Sequence, residues 1–271
     1  MKKLDLERTL IMGIVNVTPD SFFDGGRYAA PDAAVAHMRQ LAGDGADILD
    51  IGAASSRPGC VPLTAGEELA RLEPLLARVD AAEFPPLSID TDKPEVAAAA
   101  LAAGFTILND TGRPSARMAA LAAEHGAYLV IMFRGPFSVP DPDGMMMAEE
   151  VKQYFSRGIE MALSCGVSQE HLILDPGIGF GMDAAQSALL TAYTGEFTAF
   201  GLPLLLGMSN KRFIGGLGGA ELADRLPGNI AAELFGVEQG AAILRVHDAA
   251  ATAQALRVYR MLRKLKRSGN G

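Results

Sequence analysis

Short runs of aliphatic and β-branched residues alternate along the whole chain with longer, alanine-rich stretches of helical periodicity, and no other feature restricts the fold as strongly. A chain that repeats strand then helix lays its strands parallel, because each helix carries the chain back across the sheet. The runs fall at Leu10 to Val15, Asp47 to Ile51, Pro86 to Asp90, Thr106 to Asn109, Tyr128 to Met132, His171 to Asp175, Pro203 to Gly207 and Ala241 to Val246. Helices are predicted between them, among them Asp32 to Ala42, Ala65 to Val79, Pro94 to Ala102, Ala148 to Ser164 and Ile230 to Glu238. About eight such units favour a closed α/β fold, a single (β/α)8 TIM barrel, over an open doubly wound sheet with an appended helical region. An open dinucleotide-binding sheet would also need a glycine-rich first turn, and no G-x-G-x-x-G follows Leu10 to Val15. Residues 1–271 read as one domain, since no linker or low-complexity segment divides them.

With 49% hydrophobic residues the chain can bury a large core, and its formal net charge of −8 argues against a general nucleic-acid binder or a basic membrane-surface protein. An anionic ligand must therefore be met by locally placed cations. The two cysteines, Cys60 and Cys165, lack metal-ligand spacing and read as packing thiols of a reduced chain. Lys2 and Lys3 precede the apolar run Leu10 to Val15, but Asp5, Glu7 and Arg8 intervene and the run is too short to span a bilayer. A buried strand and a cytoplasmic protein are expected. The basic stretch Arg257 to Arg267 alternates with Val258, Met261, Leu262 and Leu265, which predicts a last helix with one wet face, nucleic-acid contact being the lesser alternative.

Nearly every predicted strand ends on a polar residue: Asn16, Asp50, Asp90, Asn109, Asp175, Ser209, and the pair Arg245 and His247. Any one of these suits a turn or a helix cap. In a parallel barrel, however, all of them share the C-terminal rim, where barrels place their chemistry.

Four segments extend this into a specific resemblance: Met12-Gly-Ile-Val-Asn-Val-Thr-Pro-Asp-Ser-Phe-Phe-Asp-Gly-Gly26, Asp50-Ile-Gly-Ala-Ala-Ser-Ser-Arg-Pro-Gly59, Leu174-Asp-Pro-Gly-Ile-Gly-Phe-Gly181 and Arg245-Val-His-Asp248. With Ser88-Ile-Asp-Thr91, Ile107-Leu-Asn-Asp110 and Ser209-Asn-Lys-Arg212 they run in one order from the first strand to the last, and the chain resembles the dihydropteroate synthase family over almost its whole length. The resemblance implies a transferase that joins 6-hydroxymethyl-7,8-dihydropterin pyrophosphate to p-aminobenzoate and releases pyrophosphate. For the pterin it implies Asp90, Asn109, Met132, Asp175, Phe180 and Lys211. Carboxylates suit the N–H edge of the ring, Asn109 offers both a donor and an acceptor, and Met132 and Phe180 suit its flat faces. For the pyrophosphate it implies Asn16, Arg57, Arg245 and His247, with Mg2+ bound through Asn16. Thr18, Pro19, Phe22, Ser56, Pro58 and Arg212 fall on the p-aminobenzoate side, and Lys211, Asp90, Arg57 and Ser56 are the catalytic candidates. A homodimer through outer helices is also implied.

The chain departs from the family pattern on one side. Ala54 stands where the second loop usually has an acid and Ser56 where it has threonine. Phe133 and Arg134 follow Met132 where histidine is usual, and the loop through Met145, Met146 and Met147 is atypical. The usual Ser-Arg-Lys-Ser reads Ser209-Asn-Lys-Arg212. The implied pterin contacts survive while the changes gather where p-aminobenzoate should bind. Three other functions stay open at this point: a pterin-binding paralogue with weak or no synthase activity, a corrinoid-type pterin-dependent methyltransferase, which has no use for a pyrophosphate site, and an unrelated phosphate-binding barrel. Arg212 could pair with the p-aminobenzoate carboxylate, occupy its space, or pair with an acid such as Glu233.

Overall fold

A computed structural model of the chain describes residues 2–17, 29–54, 61–137 and 144–268. Its strands are β1 (Leu10–Asn16), β2 (Ile48–Gly52), β3 (Leu87–Thr91), β4 (Ile107–Asp110), β5 (Tyr128–Met132), β6 (Leu172–Asp175), β7 (Leu205–Leu206) and β8 (Ile243–Val246). They are parallel and hydrogen-bonded in the order β6-β5-β4-β3-β2-β1-β8-β7. A parallel bridge between Leu174 and Leu204 draws β6 to the start of β7 and completes the circuit. The chain is a single (β/α)8 TIM barrel.

The helices between the strands are α1 (Ala29–Gly43), α2 (Ala65–Leu76), α3 (Pro94–Ala102), α4 (Ala116–His125), α5 (Met145–Ser164), α6 (Ala184–Ala192), α7 (Arg212–Gly218), α8 (Leu226–Glu238) and α9 (Ala249–Ser268). Their starts follow local chemistry. Thr64 with Glu67 and Asp183 with Gln186 form capping boxes for α2 and α6, Ser115 caps α4, and Pro94 opens α3 where its missing N–H costs nothing. The expected helix Ala65 to Val79 stops at Leu76, and the N–H groups of Arg78 and Val79 turn back to the carbonyl of Leu75. The expected strand Pro203 to Gly207 is reduced to Leu205–Leu206, because only these two residues pair with β8 and the other flank has a single bridge.

Strand alternation divides the core into two apolar sets. Leu10, Met12, Ile48, Ile107, Tyr128, Val130, Ile173, Leu205 and Ile243 plug the barrel interior. Alternate residues such as Ile11, Leu49, Leu108, Leu129, Leu172 and Leu244 pack outward against the helices. The last helix corrects an expectation: α9 buries Ala249, Ala253 and Leu256, whereas Val258, Met261, Leu262 and Leu265 face solvent. No helix among the described residues is long and apolar enough to cross a membrane.

Candidate active site

The same period of two that plugs the barrel builds its mouth. Two residues beyond Ile48, Ile107, Val130, Ile173 and Ile243 on the same inward parity come Asp50, Asn109, Met132, Asp175 and Arg245, and Asp90 lies opposite Asn109 in register. Cross-barrel bonds join this ring. Arg245 Nε donates to Asp50 Oδ2 at 2.6 Å, Arg245 Nη2 donates to Asp90 Oδ2 at 2.5 Å, and Asn109 Nδ2 donates to Asp50 Oδ2 at 3.1 Å. Arg245 thus reaches from β8 across to β2 and β3, and its remaining Nη1 takes no part in these bonds. Oδ1 of Asn109 and Oδ1 of Asp50 are buried with no partner among the described residues.

Asp175 ends β6 with its Oδ1 accepting the Gly177 N–H at 2.7 Å. Gly177 is at φ +64, and a Cβ there would stand 1.8 Å from the Phe133 carbonyl oxygen, so the chain can turn over Asp175 only at glycine. Lys211 approaches from the loop before α7. Its Nζ lies 4.0 Å from the centroid of the Phe180 ring, and its stem packs where a Cβ on Gly179 would meet Lys211 Cδ at 2.9 Å. Met132, 2% exposed, has its carbonyl held by the Tyr154 hydroxyl at 2.9 Å.

Burial dominates the electrostatics of the mouth. It pushes the Asp175 carboxyl up to about 6, against the downward pull of the Gly177 N–H, Lys211 and Arg245. It brings the Lys211 ammonium down to about 8, with Arg245 adding to the effect and Asp175 and Asp90 opposing it. Asp90 is also raised, by burial and by Asp50, while Arg245 draws it back. Burial works against the charge of Arg245 itself, but Asp50 and Asp90 outweigh it and keep the guanidinium protonated.

Asp90, Asn109, Met132, Asp175, Phe180, Lys211 and Arg245 are thus brought to one mouth. Asn16 and His247 stand at its edge, exposed at the ends of the paired strands β1 and β8. Ser209 Oγ lies 3.1 Å from His247 Nδ1. Arg212 is exposed in the first turn of α7, and Glu233 is not its partner: that carboxyl is buried and accepts the Thr252 hydroxyl at 2.8 Å. Thr18, Pro19, Phe22, Ser56, Arg57 and Pro58 lie outside the described residues. The stretch Met145 to Met147 opens α5 instead of forming a loop. Asp50 is the residue whose part in the site the sequence reading understated. Its signal was available, for it sits two positions after Ile48 on the inward parity, the same relation that Asn109 bears to Ile107.

A barrel whose mouth gathers carboxylates, an amide and two cations under an aromatic ring defines a class that binds a polar heterocycle. Residues 12–247 match the family described as pterin binding enzyme, and the chain belongs to that family. It is 36% identical over 265 residues to the dihydropteroate synthase of Bacillus subtilis (strain 168), covering 97% of this chain and 90% of that one. Among solved structures, Clostridium difficile dihydropteroate synthase in the presence of pteroic acid shares 40% identity at a TM-score of 0.89, covering 96% of this chain and 99% of the other. The Xanthomonas albilineans dihydropteroate synthase in complex with 7,8-dihydropteroate shares 40% identity at a TM-score of 0.85, covering 96% and 95%.

Proposed function

We propose that the chain is a dihydropteroate synthase, condensing 6-hydroxymethyl-7,8-dihydropterin pyrophosphate with p-aminobenzoate. The observation that carries the reading is the orphaned Asn109 Oδ1, a buried acceptor in the same barrel mouth that holds the Asp175 carboxyl and the Lys211 ammonium. An acceptor buried without a partner costs about 1–3 kcal/mol, and a pterin edge carrying N–H donors beside acceptors offsets that cost. Oδ2 of Asp175 accepts a ring N–H, Lys211 donates to a ring acceptor, and Met132 and Phe180 cover the ring faces. In the reaction the C–O bond between the pterin methylene and pyrophosphate breaks, both electrons leaving on oxygen. The amine nitrogen of p-aminobenzoate then bonds to the cationic methylene and releases a proton to solvent or pyrophosphate. No side chain serves as a covalent nucleophile, so the protein's task is to orient the ring and stabilise separated charge.

His247 and the uncommitted Nη1 of Arg245 face the pyrophosphate in this reading. Asn16 presents an exposed amide oxygen at the end of β1, a hard donor suited to Mg2+ that keeps most of its water. Bound there, Mg2+ would neutralise charge on the leaving group. Arg212 pairs with the p-aminobenzoate carboxylate, and a reduced cytoplasmic setting suits the free thiol of Cys165. The deciding assay incubates the pure protein with pterin pyrophosphate, p-aminobenzoate and Mg2+ and follows dihydropteroate. Turnover is expected, and pterin binding without turnover would instead mark a carrier or weak paralogue.

A further inference from the structure

The turn between β7 and α7 carries three consecutive residues with separate contacts. Ser209 Oγ accepts the His247 backbone N–H at 3.4 Å and lies 3.1 Å from its Nδ1. Lys211 reaches over Phe180. Between them Asn210 sits at φ 62, the one non-glycine residue with positive φ among the described residues. The Lys211 N–H closes the turn on the Met208 carbonyl at 3.1 Å, which puts Asn210 at the turn position that requires this conformation. Asparagine tolerates it better than most residues but, unlike glycine, has a Cβ that opposes it.

The conformation is held from outside the turn. The Asn210 N–H donates to Asn229 Oδ1 at 2.9 Å, and Asn229 Nδ2 donates back to Asn210 Oδ1 at 2.9 Å. Arg225 Nη1 donates to the Asn210 carbonyl at 3.1 Å, and the Arg225 carbonyl accepts the Asn229 N–H at 2.8 Å. Arg225 is itself braced, its Nε donating to the Ala220 carbonyl at 3.3 Å. It packs so closely on α7 that a Cβ at Gly215 would meet its Nη2 at 2.6 Å. Asn229 is 4% exposed, a buried amide whose two polar atoms are both spent on a single residue of another element.

We propose that Asn229 and Arg225 are positioning residues: by locking Asn210 in the left-handed conformation they aim Lys211 at Gly179 and Phe180, and Ser209 at His247. Neither touches the mouth. If Asn210 left this conformation the Lys211 N–H would lose the Met208 carbonyl, and the Lys211 side chain would swing away from its place over Phe180. The importance of this placement for the reaction rests on the pterin reading of Lys211, whereas the placement itself does not.

The test follows the Lys211 side chain in ligand-free protein carrying 13C at lysine Cε, its signal assigned by its loss in Lys211→Ala, and adds calorimetric pterin affinity. Asn229→Ala should move the Lys211 titration from about 8 toward its ordinary 10.5 and weaken pterin by about tenfold, the scale of one lost charge-assisted bond. Replacing Asn210 with glycine in that variant should restore both readings, because glycine takes the left-handed conformation unaided. A lower melting temperature with the Lys211 titration unmoved would overturn the proposal, since the bonds would then only stabilise the fold. If the titration moves while pterin affinity stays constant in both Asn229→Ala and Lys211→Ala, the positioning stands and the pterin role of Lys211 falls. Should Asn229→Ala fail to fold, Arg225→Met carries the test, and an unmoved Lys211 titration there overturns it.

Discussion

Asp175 and Lys211 are ionised where burial opposes their charge, and that opposition makes ligand binding depend on pH. In the proposed reading Asp175 must be a carboxylate to accept a ring N–H and Lys211 an ammonium to donate, so pterin affinity should peak between about 6 and about 8 and fall on both sides. The stability consequences run the other way. A carboxyl raised from 3.8 to about 6 holds more protons folded than unfolded, so its contribution to stability falls as pH rises through that window. An ammonium lowered from 10.5 to about 8 holds fewer protons folded, so its contribution rises with pH from about 8 to 10.5. Asp175→Asn keeps the acceptor for Gly177 and removes the buried charge. It should therefore raise the melting temperature at pH 7.5 while weakening pterin at least tenfold in calorimetry, the scale of a charge-assisted bond. Arg245→Ala is expected to act differently from His247→Ala. The first strands Asp50 in the core and should lower the melting temperature and pterin affinity together. The second removes only a rim group and should weaken pterin pyrophosphate more than the pterin alcohol. Equal weakening of both ligands by His247→Ala would detach it from the leaving group. Arg212→Ser should raise the KM for p-aminobenzoate about tenfold with pterin affinity unchanged, and a lower KM would mean that Arg212 obstructs the substrate.

Elements were legible in the sequence to the extent that their own side chains specify them. β5 runs Tyr128–Met132 and α3 Pro94–Ala102, as their aliphatic run and proline start predict. β7 was overestimated because its length depends on how many partners β8 and β6 offer, which the residues of β7 do not encode. α7, the helix that Arg212 opens, is only seven residues long, since Arg212–Gly218 is glycine-rich and owes its place to packing against α8, where a Cβ on Gly228 would meet Ile214 Cγ2 at 2.6 Å. In the segment after β6 the sequence displayed the alternating glycines of Asp175-Pro-Gly-Ile-Gly-Phe-Gly181 as a motif but not their cause. Gly177 lets the Phe133 carbonyl approach, and Gly179 gives Lys211 room to lie against the chain. Gly177→Ala joins a left-handed strain to an overlap with backbone, and it should lower stability by on the order of 3 kcal/mol or more. Thermal melting checks this, and an unchanged melting temperature would mean that the turn over Asp175 has a second, glycine-free arrangement.

At the scale of the whole molecule, barrel closure and the side on which chemistry sits followed from counting strands and noting their polar ends, because both are consequences of parallel topology. Association between copies has no such rule, and the α9 stripe shows why. Val258, Met261, Leu262 and Leu265 recur at helical spacing, a pattern compatible with packing on the barrel or on a second copy, and their exposures are 57%, 57%, 62% and 61%. The barrel is already covered by Ala249, Ala253 and Leu256 on the preceding turns, so the apolar row lies on the outside of the molecule, with Phe235 of α8, 37% exposed, also at the surface. A row of large apolar side chains left in water is offset most directly by a second copy presenting the same row about a two-fold axis. A homodimer of the kind the family resemblance implies would be expected to form through α9. Sedimentation equilibrium of the full chain should return twice the mass of 28.4 kDa. Leu262→Glu would place a charge opposite its symmetry mate in the partner and should shift the equilibrium to the monomer, with pterin affinity unchanged because Leu262 lies several turns along α9 from its mouth-side start at Ala249. A dimer that survives this substitution would move the interface to another face, the first alternative being Leu217 and Leu222 near α7, which are 75% and 55% exposed.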